Sequence, residues 1–134
     1  MNLTLSHCFI TVHDQDAALA FYRDVLGLEL RNDMAFEGFR WVTLSPPSQP
    51  DVEIVLDVAE MGRPADAQTL KALLAKGSLS GVIFATDDCD ATFEKLSAAG
   101  AEVVQEPIDQ PYGVRDCAFR DPSGNQLRFS ERQS

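Results

Sequence analysis

The sequence predicts an α+β fold of two βαβββ modules whose curved mixed sheets form a cleft. Two observations predict it: an order of strand, helix and three strands that is read twice, and a near-constant spacing between the two readings. Phe21 and Phe93 lie 72 positions apart and Gly27 and Gly100 lie 73 apart, while the Asp14/Asp16 pair returns 74 positions later as Asp88/Asp90. A spacing kept across a helix, its cap and its terminator marks one supersecondary unit used twice.

Taken in order, Leu5 to Val12 (LSHCFITV) is rich in β-branched and aromatic types and reads as a strand. His13-Asp14-Gln15-Asp16 stands where a helix is capped, and Asp16 to Leu26 carries an apolar stripe of Ala17, Phe21 and Val25 beside Ala18, Tyr22 and Leu26. Gly27 ends that helix in left-handed geometry. Leu28 to Arg31, Phe39 to Ser45 and Val52 to Val58 read as strands, separated by Glu37-Gly38 and by Pro46-Pro47-Ser48-Gln49-Pro50. Pro64 to Lys76 reads as a connecting helix that starts at proline and stops at Gly77.

The second module repeats the order, with Gly81 to Thr86 as a strand, Cys89 to Ala99 as a helix ended by Gly100, and strands at Ala101 to Gln105, Val114 to Arg120 and Gln126 to Ser130. Asp121-Pro122-Ser123-Gly124 is a structural turn. The first module thus spans about residues 5–60, the linker helix about 64–76 and the second module about 79–132 of one domain covering 1–134.

Composition narrows the function. The 134 residues are 45% hydrophobic, enough for one core without staples. No run approaches the roughly eighteen apolar residues of a membrane helix, and Met1 to Leu5 lacks the basic start and apolar run of a secretory signal, so a cytoplasmic protein is expected. Cys8, Cys89 and Cys117 are odd in number and widely spaced, and read as buried free thiols. Eleven Lys and Arg against 21 Asp and Glu give a formal charge of −10, which opposes a nucleic-acid partner. No GxSxG, P-loop or GxGxxG supports a hydrolase, NTPase or Rossmann reading.

A four-stranded sheet with one helix buries one face under that helix and leaves the other free to curve around a ligand. Strand parity puts His7, Phe9 and Thr11 on the free face, and sets Glu53, Val55 and Asp57 together on one face of the module's last strand and Gln126, Arg128 and Ser130 together on one face of the matching strand. Parity leaves the face of Trp41 open between core packing and a stacking wall for a flat ligand.

The segment from Ile10 to His13-Asp14 with Ala18 to Leu28 (ALAFYRDVLGL), together with Phe119 to Leu127 (FRDPSGNQL), resembles the glyoxalase/bleomycin resistance protein/extradiol dioxygenase (vicinal oxygen chelate) superfamily over essentially the whole chain. The resemblance implies paired modules facing a cavity, a small-molecule ligand, commonly a homodimer, and in metal-using members four ligands. Those positions fall here on His7, Val55, Gly81 and Arg128, and only His7 carries a metal donor. A divalent ion needs three or more donors converging within about 2.0–2.5 Å. No cofactor is therefore expected, the alternative being a divalent metal at a displaced site built from His7, Glu53 and Asp57.

The candidate ligand-binding residues are His7, Trp41, Glu53, Asp57, Tyr112 and Arg128. His7 reads either as a hydrogen-bonded histidine of a half-buried setting or as a ligand contact or general base. Arg128 reads both as an internal ion-pair partner of Glu53 or Asp57 and as a fork for a carboxylate, phosphate or vicinal-oxygen ligand. Tyr112, in the Gln110-Pro111-Tyr112-Gly113 turn, offers its phenol to a ligand or packs on the surface. The function expected is metal-free small-molecule binding of the bleomycin-resistance type. Its alternatives are a metal-dependent glyoxalase-like lyase or dioxygenase with a displaced site, and a metal-independent acid/base enzyme using His7, Glu53 and Tyr112.

Overall fold

Strand alternation and helix caps build the same unit twice in the computed structural model, which describes residues 1–79 and 81–132. The first unit, Met1–Ala72, runs β1 (His7–Thr11), α1 (Gln15–Leu19), β2 (Glu29–Phe36), β3 (Phe39–Ser45) and β4 (Glu53–Asp57). Its sheet has the order β1-β4-β3-β2, with β1 parallel to β4 and the other neighbours antiparallel. Single 3-10 turns at Ala59–Met61 and Pro64–Asp66 lead into α2 (Ala67–Ala75). The second unit, Leu73–Ser134, runs β5 (Ile83–Ala85), α3 (Cys89–Ala98), β6 (Glu102–Asp109), β7 (Val114–Arg120) and β8 (Gln126–Arg132). Its order, β5-β8-β7-β6, repeats the first with β5 parallel to β8. Residue 80 and residues 133–134, part of the expected domain, lie outside the described residues.

The caps fall where the repeat puts them. Asp14 accepts from the N–H groups of Asp16 and Ala17, and Asp88 from that of Ala91. Gly27 and Gly100 follow the two helices at φ 79° and 85°, a region open to glycine at little cost.

Three expectations need correction. The first helix is not α-helical throughout: from Ala20 to Val25 it widens into a π-helix, with the Leu26 N–H bonded to the Phe21 carbonyl at 2.9 Å. The buried side chains are Ala18, Leu19, Phe21 and Tyr22, while Ala17, in the turn before the widened segment, stands exposed. The strand expected to end at Arg31 continues to Phe36, because Glu37-Gly38, both at positive φ, closes a two-residue hairpin that pairs Phe36 with Phe39. The first strand of the second unit is reduced to three residues, whereas β6 gains four beyond Gln105.

Each sheet buries its helix-side face. Ile10, Val12, Val42, Leu44, Ile54 and Leu56 lie under the helix in the first unit, and Cys117, Phe119, Leu127 and Phe129 in the second. Removing each such large side chain from water is worth about 2 kcal/mol. Both units also carry an ion-pair clasp between helix start and sheet edge. Arg40 of β3 bonds Asp16 at 2.7 Å and Asp33 at 2.8 Å, and Arg115 of β7 bonds Asp90 at 2.9 Å and Asp109 at 3.1 Å.

Candidate functional site

The site begins with strand register. In the first unit His7 pairs with Glu53, Phe9 with Val55 and Thr11 with Asp57, so these six side chains share the face turned away from the helix. Thr43 pairs with Val55, and Asn32, Met34 and Phe36 pair with Thr43, Trp41 and Phe39, which adds β3 and β2 to that face. Trp41 therefore belongs to the open face and not to the helix-side core. Its ring centroid lies 6.3 Å from that of His7, with the planes tilted by 47°.

Around this pair stand Phe9, Met34, Phe36 and Phe39, all on the same face and between 45% and 67% exposed. Large apolar side chains grouped in the open on one face form an exposed patch that asks for an explanation, whereas scattered ones need none. Phe9 was placed on this face by parity alone. Met34 and Phe36 escaped the sequence reading because β2 was ended too early, and the flanking of Glu37-Gly38 by Phe36 and Phe39 was the signal that could have found them.

A polar strip crosses the same face. Glu53 accepts from the Thr43 hydroxyl at 2.7 Å and from the Asn32 amide at 3.1 Å, and His7 Nε2 lies 3.6 Å from its other oxygen. The Thr43 hydroxyl holds the Glu53 carboxyl below the usual carboxylate range against the opposing pull of burial, with the charges of His7 and Arg31 and the Asn32 amide adding to it. Asp57 is shifted the other way. Burial raises it despite a hydrogen bond from Thr11, and its buried Oδ1 has no hydrogen-bond partner among the described residues.

The second unit places different chemistry at matching positions. Arg128 pairs in register with Ile83 and Ala118, and its Nη1 donates to Gln105 Oε1 at 3.0 Å and lies 3.3 Å from Asp116 Oδ2. Its carboxylate partner within the unit is thus Asp116, two residues along the neighbouring strand, and not one of the acids named from the sequence. Asp116 is only 1% exposed, yet Gln105 and Gln110 each donate to its Oδ1, at 2.8 and 3.0 Å. Burial acts to raise the Asp116 carboxyl, but the two amides and the Arg128 guanidinium outweigh it and hold the group low. The alternation of Val114, Asp116 and Ala118 with buried Cys117 and Phe119 was a readable signal for Asp116; the register that pairs it with Arg128 was not. Tyr112 stands 71% exposed on the turn before β7.

The paired sheets and the repeat agree with a wider likeness. A sequence model of the Glyoxalase/Bleomycin resistance protein/Dioxygenase superfamily matches residues 4–129. The chain belongs to this superfamily. Among solved members, the crystal structure of UcmS2 is similar with a TM-score of 0.90 and 38% identity, covering 97% of this chain and 98% of that one. TnmS3, an antibiotic binding protein from Streptomyces sp. CB03234, is similar with a TM-score of 0.79 and 27% identity, covering 98% of each chain. The lactoylglutathione lyase of Haemophilus influenzae is 27% identical over 133 residues, covering 98% of this chain and 95% of that protein.

Superfamily members that use a metal prompt a test of fit. The strand pairings bear on the transferred positions, because Phe9↔Val55 in the first unit has Ile83↔Arg128 as its counterpart in the second, which sets Val55 and Arg128 at matching places. Position 81 admits no ligand side chain as the backbone stands, since a Cβ there would run into the carbonyl oxygen of Gln126. A guanidinium at 128 brings a fixed positive charge. Among the described residues no three His, Cys, Asp or Glu side chains converge as a metal ion would require, so the His7–Glu53 pair gains no third donor from Asp57. Of the four transferred positions, Val55, Gly81 and Arg128 carry no metal donor.

Proposed function

We propose that the protein binds a flat, aromatic, oxygen-rich small molecule against the open face of its first unit, without a metal ion and without converting it. One observation carries this reading: Trp41, beside His7, is surrounded by Phe9, Met34, Phe36 and Phe39, which stay exposed on a single sheet face. Rings stacked on such a surface gain burial and offset contact at low entropic cost. Glu53, ionised and held by Thr43 and Asn32, offers an acceptor to a hydroxyl or amine of the ligand. The likeness to the antibiotic binding protein TnmS3 supports the binding of a small molecule. The two units act in this reading as one domain in a cytoplasmic homodimer, whose state sedimentation would report, and no nucleic acid takes part.

Trp41 is the chain's single tryptophan, so the site carries its own reporter. Titration with bleomycin and a panel of planar aromatic antibiotics should quench its fluorescence saturably at one ligand per chain for at least one compound. Phe9→Ser should weaken that binding about tenfold, the cost of one lost apolar anchor, and a chelator should leave it unchanged. Silence across the panel would remove the reading. So would stoichiometric uptake of Ni²⁺, Zn²⁺, Mn²⁺ or Fe²⁺ that is lost in His7→Ala.

Catalysis by His7 and Glu53 is the second reading, favoured by their 3.6 Å approach on an open face. A carboxylate held low is a weak general base, which speaks against it. Turnover of a methylglyoxal–glutathione adduct or a catechol, abolished in Glu53→Gln, would establish this reading over simple binding, and its dependence on added metal or on Tyr112 would separate the lyase, dioxygenase and acid/base variants.

A further inference from the structure

The second unit carries a feature that the binding surface of the first does not use. We propose that Arg128 is the anion fork of a subsite on the second unit, which takes the planar carboxylate of an aromatic ligand.

Three observations support it. Only Nη1 of Arg128 is engaged, by Gln105 and Asp116, and among the described residues no partner takes Nε or Nη2. A guanidinium with that edge free matches the two oxygens of a carboxylate, which a lysine ammonium does not. Arg128 also lines a hollow of about 290 Å³ together with Gly81, Ile83 and Gln126. Ile83, in register with Arg128, offers a 70% exposed apolar side chain beside the arginine. The hollow can therefore take a ring and a charge side by side.

The ion pair with Asp116 takes one edge of the guanidinium and leaves the other. Asp116 spends Oδ1 on the amides of Gln105 and Gln110, and its strand position fixes it on one side of the guanidinium. Gln105 both donates to Asp116 and accepts from Arg128, so the three side chains lock one another. What remains is an oriented positive edge with its rotamer already paid for by the network.

The test uses the full chain labelled with ¹⁵N and follows the Arg128 Nε–H resonance, with benzoate and salicylate as probes and benzamide as the uncharged control. Both carboxylates should shift the resonance and bind, and benzamide should not. Arg128→Lys, which keeps the charge beside Asp116 but has no Nε–H to follow, should weaken binding about tenfold, read from the backbone amide of Ile83, because the fork is lost. Ile83→Glu leaves the Arg128 network intact and substitutes an exposed position, but sets a carboxylate in register across from Arg128 that occupies the free edge itself. It should abolish the shift with an unchanged melting temperature. An unshifted Nε–H at about 10 mM probe, well above the millimolar affinity of a single fork, would overturn the proposal. So would a response to benzamide equal to that to benzoate, or salicylate binding that survives Ile83→Glu. Because the readout is Arg128 and not Trp41, the subsite can fail while the aromatic surface of the first unit holds, and the reverse.

Discussion

The two units share a backbone and differ in what they hang on it. Where the first sets His7 the second has Gly81, and where the first sets Val55 the second has Arg128. Continuing the Thr43↔Val55 register by two residues brings Trp41 beside Asp57; the matching place in β7 holds Asp116, in register with Ser130. One open face is thus aromatic and apolar with a thin polar strip, and the other is organised around a buried acid and its arginine. Duplication preserved what folding needs, namely the caps, the terminating glycines and the arginine clasps. It left the open faces free to diverge because their side chains are not part of either helix-covered core.

The sharpest way to break that comparison is to exchange tolerance at matched positions. Gly81→Ala should destabilise by about 3 kcal/mol, since its Cβ meets the Gln126 backbone and no flexible side chain can yield. His7→Ala should cost less than about 1 kcal/mol, as its side chain is well exposed. Urea titration of the two variants reads the contrast, and equal losses would mean that position 81 is no closer to its neighbour than position 7.

Smaller effects separate the acids. Asp116→Asn should cost about 2 kcal/mol at neutral pH, by leaving Arg128 without its counter-charge. Asp57→Asn should instead stabilise by about 1 kcal/mol, because it removes a charge that burial disfavours. Asp116 has a depressed folded pKa, so its contribution is full above the unfolded carboxylate value and is lost as pH falls through the folded one. Asp57 has a raised one, so its penalty is relieved as pH falls through that value. Melting temperatures of both variants should therefore converge on the wild type in acid, one from below and one from above; convergence from the same side would contradict the opposite shifts.

The smallest expected effect checks the shared part. Arg40→Ala and Arg115→Ala should each lower the urea midpoint only slightly, as partly exposed ion pairs do, and by the same amount. A clear inequality in chemical denaturation would show that the clasp is a resemblance of geometry without a common role.

Much of this was legible in the sequence. Asp14 and Asp88 announced both caps, Gly27 and Gly100 both helix ends, and the parity of His7, Phe9, Glu53 and Asp57 gave one side of the open face. What escaped lay at longer range. The π-helical turn at Ala20–Val25 has no cap or breaker to announce it. Trp41 could not be assigned a face until Thr43↔Val55 fixed the register of β3 on β4. The partners of Arg128 lie on β6 and β7, and nothing within the β8 sequence names them.

By itself, then, the order of residues determined the repeated unit and the caps and glycine ends of its two helices, because caps, periodicity and glycine conformations act within a few residues of one another. Tertiary structure alone decided which side chains meet across strands: His7 with Trp41, Arg128 with Asp116, and each clasping arginine with its two carboxylates. A slip of one residue would send every one of them to the opposite face, and that choice is made by sheet packing as a whole and not by any local stretch of chain.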